Sequence, residues 1–201
     1  MSTPQFFQID IYGGSSDGGQ YDMVSACLKC GTGARRTDPL RIPITKLPDV
    51  DTFVTLHREC LVSEQLSRAL QSKGVRSLRN VFDREGVLLP LKELVPETFL
   101  PPFSDETAGY ERWKGCAHCG RDGYFDIPHQ RLRITYRPLD GRLLCHDVFG
   151  TYEAFGISRR RSPFKDSTLA SPLYLVSNRV AEVLRGDDTV ELNPVEIRGR
   201  E

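Results

Sequence analysis

The chain has one tryptophan, two methionines and no excess of either charge in 201 residues. Nothing in it approaches eighteen consecutive apolar residues, which excludes a transmembrane helix of the usual ~20-residue length. Lys and Arg number 27 against 27 Asp and Glu, and residues 1–100 hold 12 of each sign. No domain-scale basic face follows, and this argues against a general nucleic-acid binder, whose affinity rests on neutralising phosphates. The opening MSTPQFFQIDIYGGSSDGG lacks a basic segment followed by an apolar one. No secretory signal is therefore expected, and the chain reads as cytoplasmic. There is no P-loop, GxSxG, HExxH or H-x-E…CxxC signature and no carboxylate pair that stands out as catalytic, so a non-enzymatic protein is expected.

The composition is otherwise that of a soluble globular chain, 39% hydrophobic and 27% charged. A domain of this length buries roughly 70% of its unfolded surface and needs no metal to make up for a small core. One α+β globular unit over residues 1–201 is expected, rich in antiparallel strands, with sub-halves 1–100 and 101–201. Phe6–Tyr12 reads as a strand with Phe7, Ile9 and Ile11 on one face, ended by the Gly-rich run 13–19. Phe53–Leu56 is β-like. Ser63 then caps a helix with Glu64 in its first turn, a Leu66, Ala69, Leu70 stripe, and Gly74 as its stop. Pro90, Pro96, Pro101 and Pro102 predict loop with short strands and an internal boundary. Tyr124–Ile127, Arg131–Tyr136 and Leu143–Phe149 read as strands, the last preceded by an Asp140-Gly141 hairpin turn. After the short apolar run Tyr174–Val176, Ser177 caps a second helix carrying Val180, Val183 and Leu184 and stopped by Gly186. Val190–Ile197 returns as a strand interrupted by Pro194.

Leu61–Leu70 (LVSEQLSRAL) aligns with Leu175–Leu184 (LVSNRVAEVL), and each leads through a glycine into a β-like run. The helices lie 114 residues apart and the cysteine pairs 89. A duplication altered by insertions accounts for this, as does convergence of capped amphipathic helices.

Six cysteines are too few for a disulfide-dense scaffold, yet four occur as Cys27-Leu-Lys-Cys30-Gly31 and Cys116-Ala-His-Cys119-Gly120. A CxxC turn points both thiolates to one side, and the following glycine lets the backbone turn beneath them. One such knuckle supplies half of a tetrahedral Zn²⁺ site, so Cys27, Cys30, Cys116 and Cys119 form a candidate Cys₄ centre holding one structural zinc per chain. The long separation of the two pairs is tolerable because loop closure grows only logarithmically with length. All-cysteine ligation closes the ion to water, so its role is structural. Lys29, Arg35, Arg36, Lys114 and Arg121 lie near enough in sequence to offset its double negative charge. Redox pairs, two disulfides and former ligands are the competing readings.

His57, Cys60, Cys145 and His146 raise a second metal site, against the simpler reading of Cys60 and Cys145 as buried small hydrophobes. His118 is expected to face solvent, and His129 carries no signal. Tyr110-Glu-Arg-Trp113 has the composition of an interface hot spot, although packing of Trp113 over the metal is the stronger reading. Arg159–Arg161 with Lys165 reads as a solvated loop rather than a phosphate contact.

The motifs CLKCG and CAHCGRDGY, with their order of β-run, knuckle, helix, knuckle and helix-strand tail, resemble the myxobacterial double-CXXCG family, which includes immunity proteins of the Sit toxin systems. The resemblance implies metal ligation by Cys27, Cys30, Cys116 and Cys119. It also implies a cytoplasmic immunity protein whose partner is a cognate toxin domain that it binds and neutralises. The alternative is a zinc-ribbon nucleic-acid-binding or regulatory protein.

Overall fold

The computed structural model describes residues 6–11, 19–22, 24–27, 34–37, 39–43, 49–55, 57–111, 124–126, 131–156 and 170–198. It is a mixed α+β fold dominated by strands: β1 (Phe6–Ile11), β2 (Tyr21–Asp22), β3 (Arg35–Arg36), β4 (Thr52–Val54), β5 (Cys60–Ser63), α1 (Glu64–Ser72), β6 (Leu78–Phe82), β7 (Leu88–Leu94), β8 (Thr98–Phe99), β9 (Tyr124–Asp126), β10 (Thr135–Tyr136), β11 (Val148–Gly156), β12 (Ser171–Ser177), α2 (Asn178–Leu184) and β13 (Val190–Ile197). The larger sheet runs β10-β13-β1-β12-β11-β8, with β9 also on β11, and the smaller runs β4-β5-β7-β6. β2 and β3 form a separate antiparallel pair. No helix among the described residues is long and apolar enough to cross a membrane.

Both helices begin as their sequences predict. The Ser63 hydroxyl accepts from the Leu66 amide at 3.1 Å and the Ser177 hydroxyl from the Val180 amide at 3.4 Å, satisfying N–H groups that have no partner within the helix. Gly74 closes α1 at φ +84°, a conformation that costs glycine nothing. Gly186 takes no positive φ, and α2 ends instead on the Asp187 amide, which donates to the Leu184 carbonyl at 3.0 Å. The buried stripe of α1 is Leu66, Ser67 and Leu70, leaving Ala69 exposed.

Three sequence expectations fail for local reasons. The proline-punctuated region contains the seven-residue β7, in which Pro90 lies just before the first residue paired with β5 and within the irregular stretch of the β6 register. Its missing N–H therefore breaks no ladder bond. Leu143–Phe149 is not one strand. The Asp140 carbonyl accepts from the Leu143 amide and its carboxylate from the Arg142 amide, both at 2.9 Å, which winds Leu143–Cys145 into a 3-10 turn and delays β11 to Val148. Nor does Asp140-Gly141 join a hairpin, since β10 pairs with β13 and not with β11.

The two sheets contain the same unit. β5 enters α1 and β12 enters α2, and in each case the strand after the helix lies parallel to the strand before it, with one antiparallel strand inserted between them. β7 fills that slot in the smaller sheet, directly following β6, whereas β1 fills it in the larger one. The registers agree: Ser63 faces Leu91 and Leu78 faces Leu94, while Ser177 faces Phe6 and Leu192 faces Ile9. Ahead of each pre-helix strand stands the same pentapeptide pattern, Asp51-Thr-Phe-Val-Thr55 and Asp147-Val-Phe-Gly-Thr151. Both aspartates accept from the capping serine hydroxyl, and their carbonyls accept from the serine amide at 2.8 and 2.9 Å. A segment ahead of that pattern adds in parallel to the post-helix strand in each unit, Arg41 beside Phe82 and Thr135 beside Glu196.

The cores follow the same rule. Phe53, Leu61, Val81 and Leu91 share one cluster, and their counterparts by register, Phe149, Leu175, Val195 and Phe6, share another. The helix-side faces merge in a third, where Leu66 and Leu70 pack with Val180 and Leu184 over Val62 and Val176. β1 and β8 derive from the first hundred residues yet lie in the larger sheet, so the chain crosses between the two sheets.

Candidate metal centre

Cys27 is half-buried five residues after β2, whereas Cys30, Cys116 and Cys119 lie outside the described residues. Among the described residues no group of three or more His, Cys, Asp or Glu is arranged to hold a metal. What the structure defines is the frame from which each cysteine motif springs.

The first motif lies in the connection between β2 and β3, closed at its base by the Tyr21–Arg36 and Asp22–Arg35 pairs and by the Thr37 amide donating to the Gln20 carbonyl at 2.9 Å. The second lies between Tyr110 and β9. Tyr110 packs edge-on against Phe155 with 5.8 Å between ring centroids, and the β9 residue Phe125 pairs with the same Phe155. Each motif thus sits in a connection whose ends are held together, the arrangement a knuckle needs.

Two buried carboxylates hold the first frame to the smaller sheet. Glu59, 3% exposed, accepts from the Tyr21 hydroxyl at 2.8 Å, from the Gly19 amide at 3.1 Å and from the Thr55 hydroxyl. Glu93, 1% exposed, pairs with Arg36. Buried carboxylates are costly unless so engaged, which makes these contacts the anchors of the hairpin. Arg36, a sequence candidate for offsetting thiolate charge, is thus already matched with Glu93. Burial pushes the Tyr21 phenol well above its ordinary range, and the charge and hydrogen bond of Glu59 push it the same way.

The residues suspected of a second site do not form one. Cys60 is buried in β5, and burial, reinforced by Glu93 and Asp187, pushes its thiol up to about 12, so at neutral pH it is a small apolar core residue. Cys145, expected to be buried, is exposed on the 3-10 turn and donates to the Arg142 carbonyl at 2.9 Å. The His146 Nδ1 lies 2.6 Å from Glu97 Oε2. His57 packs edge-on to Tyr21 at 5.1 Å, and its carbonyl accepts from the Ser171 hydroxyl at 3.0 Å. Trp113, His118, His129, Arg159–Arg161 and Lys165 lie outside the described residues.

One signal was available in the sequence beyond the cysteines. YDMVSACLKCG at 21–31 matches YERWKGCAHCG at 110–120 in its tyrosine, the following acid, the small residue before the first cysteine, and the Cys-Cys-Gly frame. Nothing local to Glu59 or Glu93 marks them as anchors, because their burial arises from strands distant in sequence. No family model matches the chain, and no curated protein sequence aligns with it.

Proposed function

We propose that this chain is a non-enzymatic immunity protein that binds and neutralises a cognate toxin domain, its fold clasped by one structural Zn²⁺ on Cys27, Cys30, Cys116 and Cys119. The donor set suits the ion: four thiolates satisfy a closed tetrahedral zinc and leave no position for a substrate. The observation that carries the metal reading is that each CxxCG springs from a connection closed at its base, one by the β2–β3 pairing and one at Phe155. In this reading the two related units descend from a duplication, and the metal joins one motif from each. The immunity role rests on the CLKCG and CAHCGRDGY resemblance, and balanced local charge fits a partner that is a protein rather than nucleic acid.

Co-expression with the adjacent open reading frame tests the function. Rescue of an otherwise lethal product, with a stable complex on purification, supports immunity; neither rescue nor complex refutes it. Elemental analysis tests the metal: about one zinc per chain, reduced in Cys116→Ser. Protein without metal, with all cysteines titrating freely under native conditions, refutes that part.

A further inference from the structure

We propose that the chain holds two copies of one linear repeat that exchange their first strands, β1 of the first copy completing the sheet of the second and β7 of the second completing the sheet of the first. The exchange is an interlock that keeps the two copies as one body, with or without a metal and with or without the turn that joins them.

The correspondences set by strand register and by sequence run in a single order along the chain. Phe6 and Leu91 face the capping serines Ser177 and Ser63, and they lie 85 residues apart. The CxxCG motifs follow at a separation of 89, the parallel edge residues Arg41 and Thr135 at 94, and Asp51 and Asp147 at 96. The capping serines and the post-helix residues Leu78 and Leu192 come last, both at 114. The largest step falls between Thr151 and Leu173, whose counterparts Thr55 and Glu59 make the same bond. In each copy the threonine hydroxyl accepts from the amide of the later residue, at 3.2 Å in the first and 2.9 Å in the second. A separation that only grows describes one repeat carrying insertions, without permutation. The first copy therefore runs from β1 to β6 and the second from β7 to β13. β7 is the opening strand of the second copy, although a tight turn places it directly after β6.

In each sheet the strand supplied by the other copy lies in the interior. β1 is paired on one side with β12 and on the other with β13, and β7 with β5 and β6. Both also carry core residues on their two faces. β1 sets Phe6 in one apolar cluster and Ile9 in another, and β7 does the same with Leu91 and Leu94. Withdrawing either strand strips two ladders at once and leaves backbone N–H and C=O groups without partners beside a core. Separating the copies requires both withdrawals, so the two sheets must open together. A zinc ion on the four cysteines would add to this interlock without creating it.

A protease site inserted between Glu85 and Gly86, in the exposed turn between β6 and β7, allows the folded full-length chain to be cut at the boundary of the copies. With a zinc chelator present, the pieces should elute as one particle of uncut size on dilution to about 10 nM, and urea should part and unfold them in a single transition. Two engineered disulfides report the exchanged seats. Asp10→Cys with Glu191→Cys links β1 to β13, and Asn80→Cys with Lys92→Cys links β6 to β7, each pair being directly opposed in the ladder and drawn from different copies. After cutting, either disulfide should hold the pieces in one band on a non-reducing denaturing gel, where the cut parent chain runs as two. Pieces that part on cutting and chelation alone overturn the interlock. Failure of either pair to join them, in protein that otherwise remains folded, overturns the exchange.

Discussion

Arg179 grips Asp147 from the first turn of α2: its Nη2 lies 2.8 and 2.7 Å from the two carboxylate oxygens, and its Nε lies 3.0 Å from one of them. Asp147 also accepts from the Ser177 hydroxyl at 2.7 Å, so one buried carboxylate joins the start of β11 to the cap of α2. In the other unit Asp51 holds Ser63, but Gln65 stands where Arg179 does. Asp147→Ala should therefore cost about 2–4 kcal/mol, combining a weakened cap with lost charge-assisted bonds. Asp51→Ala should cost about 1 kcal/mol. Urea denaturation of both variants checks the ratio, and equal costs refute the assignment.

Cys60 sets an alkaline limit. Its thiol titrates near 9.0 when unfolded and is pushed up to about 12 in the fold, so between those values the folded chain holds a proton that the unfolded chain has released. This stability is complete below pH 9 and declines as pH rises, by about 1.4 kcal/mol per unit. The phenol of fully buried Tyr136 and those of half-buried Tyr21 and Tyr174 act in the same direction above their ordinary titration range. Cys60→Val should flatten the decline between about pH 9 and 10 in metal-free protein, measured by urea unfolding across that range. An unchanged slope refutes the role of this thiol.

Gly109 precedes Tyr110 at φ +104°, and a Cβ there would stand 2.6 Å from the Arg131 carbonyl oxygen. Gly109→Ala must move backbone as well as adopt a disfavoured conformation, for an expected loss of about 2–3 kcal/mol. Because Tyr110 is displaced with it, zinc retention should fall too. Thermal unfolding and zinc content read the two effects separately.

Salt distinguishes the two classes of partner. A complex resting on shape and local charge should weaken less than about tenfold between 50 and 200 mM salt, whereas one neutralising six to ten phosphates should lose roughly 10³–10⁵. Titration of the purified complex over that range makes the measurement.

The helices were legible because their determinants are local: a serine whose hydroxyl reaches an amide three residues on, and apolar residues spaced by one turn. The burial of Phe7 and Ile9 in β1 and of Leu132, Ile134 and Tyr136 was legible from alternation, whereas that of Phe6 and Gln8 on the opposite face of β1 was not. Pro90 misled because proline is excluded from a strand only where an N–H is needed, and that depends on neighbours the local sequence does not reveal. Cys145 misled for a related reason: Asp140 winds its segment into a 3-10 turn and carries the thiol outward.

Charge balance, the lack of a long apolar run, the two capped helices and the paired CxxCG motifs are properties of composition and short-range spacing, and the sequence determined them by itself. That β1 fills in one sheet the place β7 holds in the other, and that Glu59 and Glu93 become buried anchors, was decided only by the tertiary structure. Strand pairing and burial depend on which distant segments meet, and a carboxylate reads the same in sequence whether water or a tyrosine hydroxyl will satisfy it.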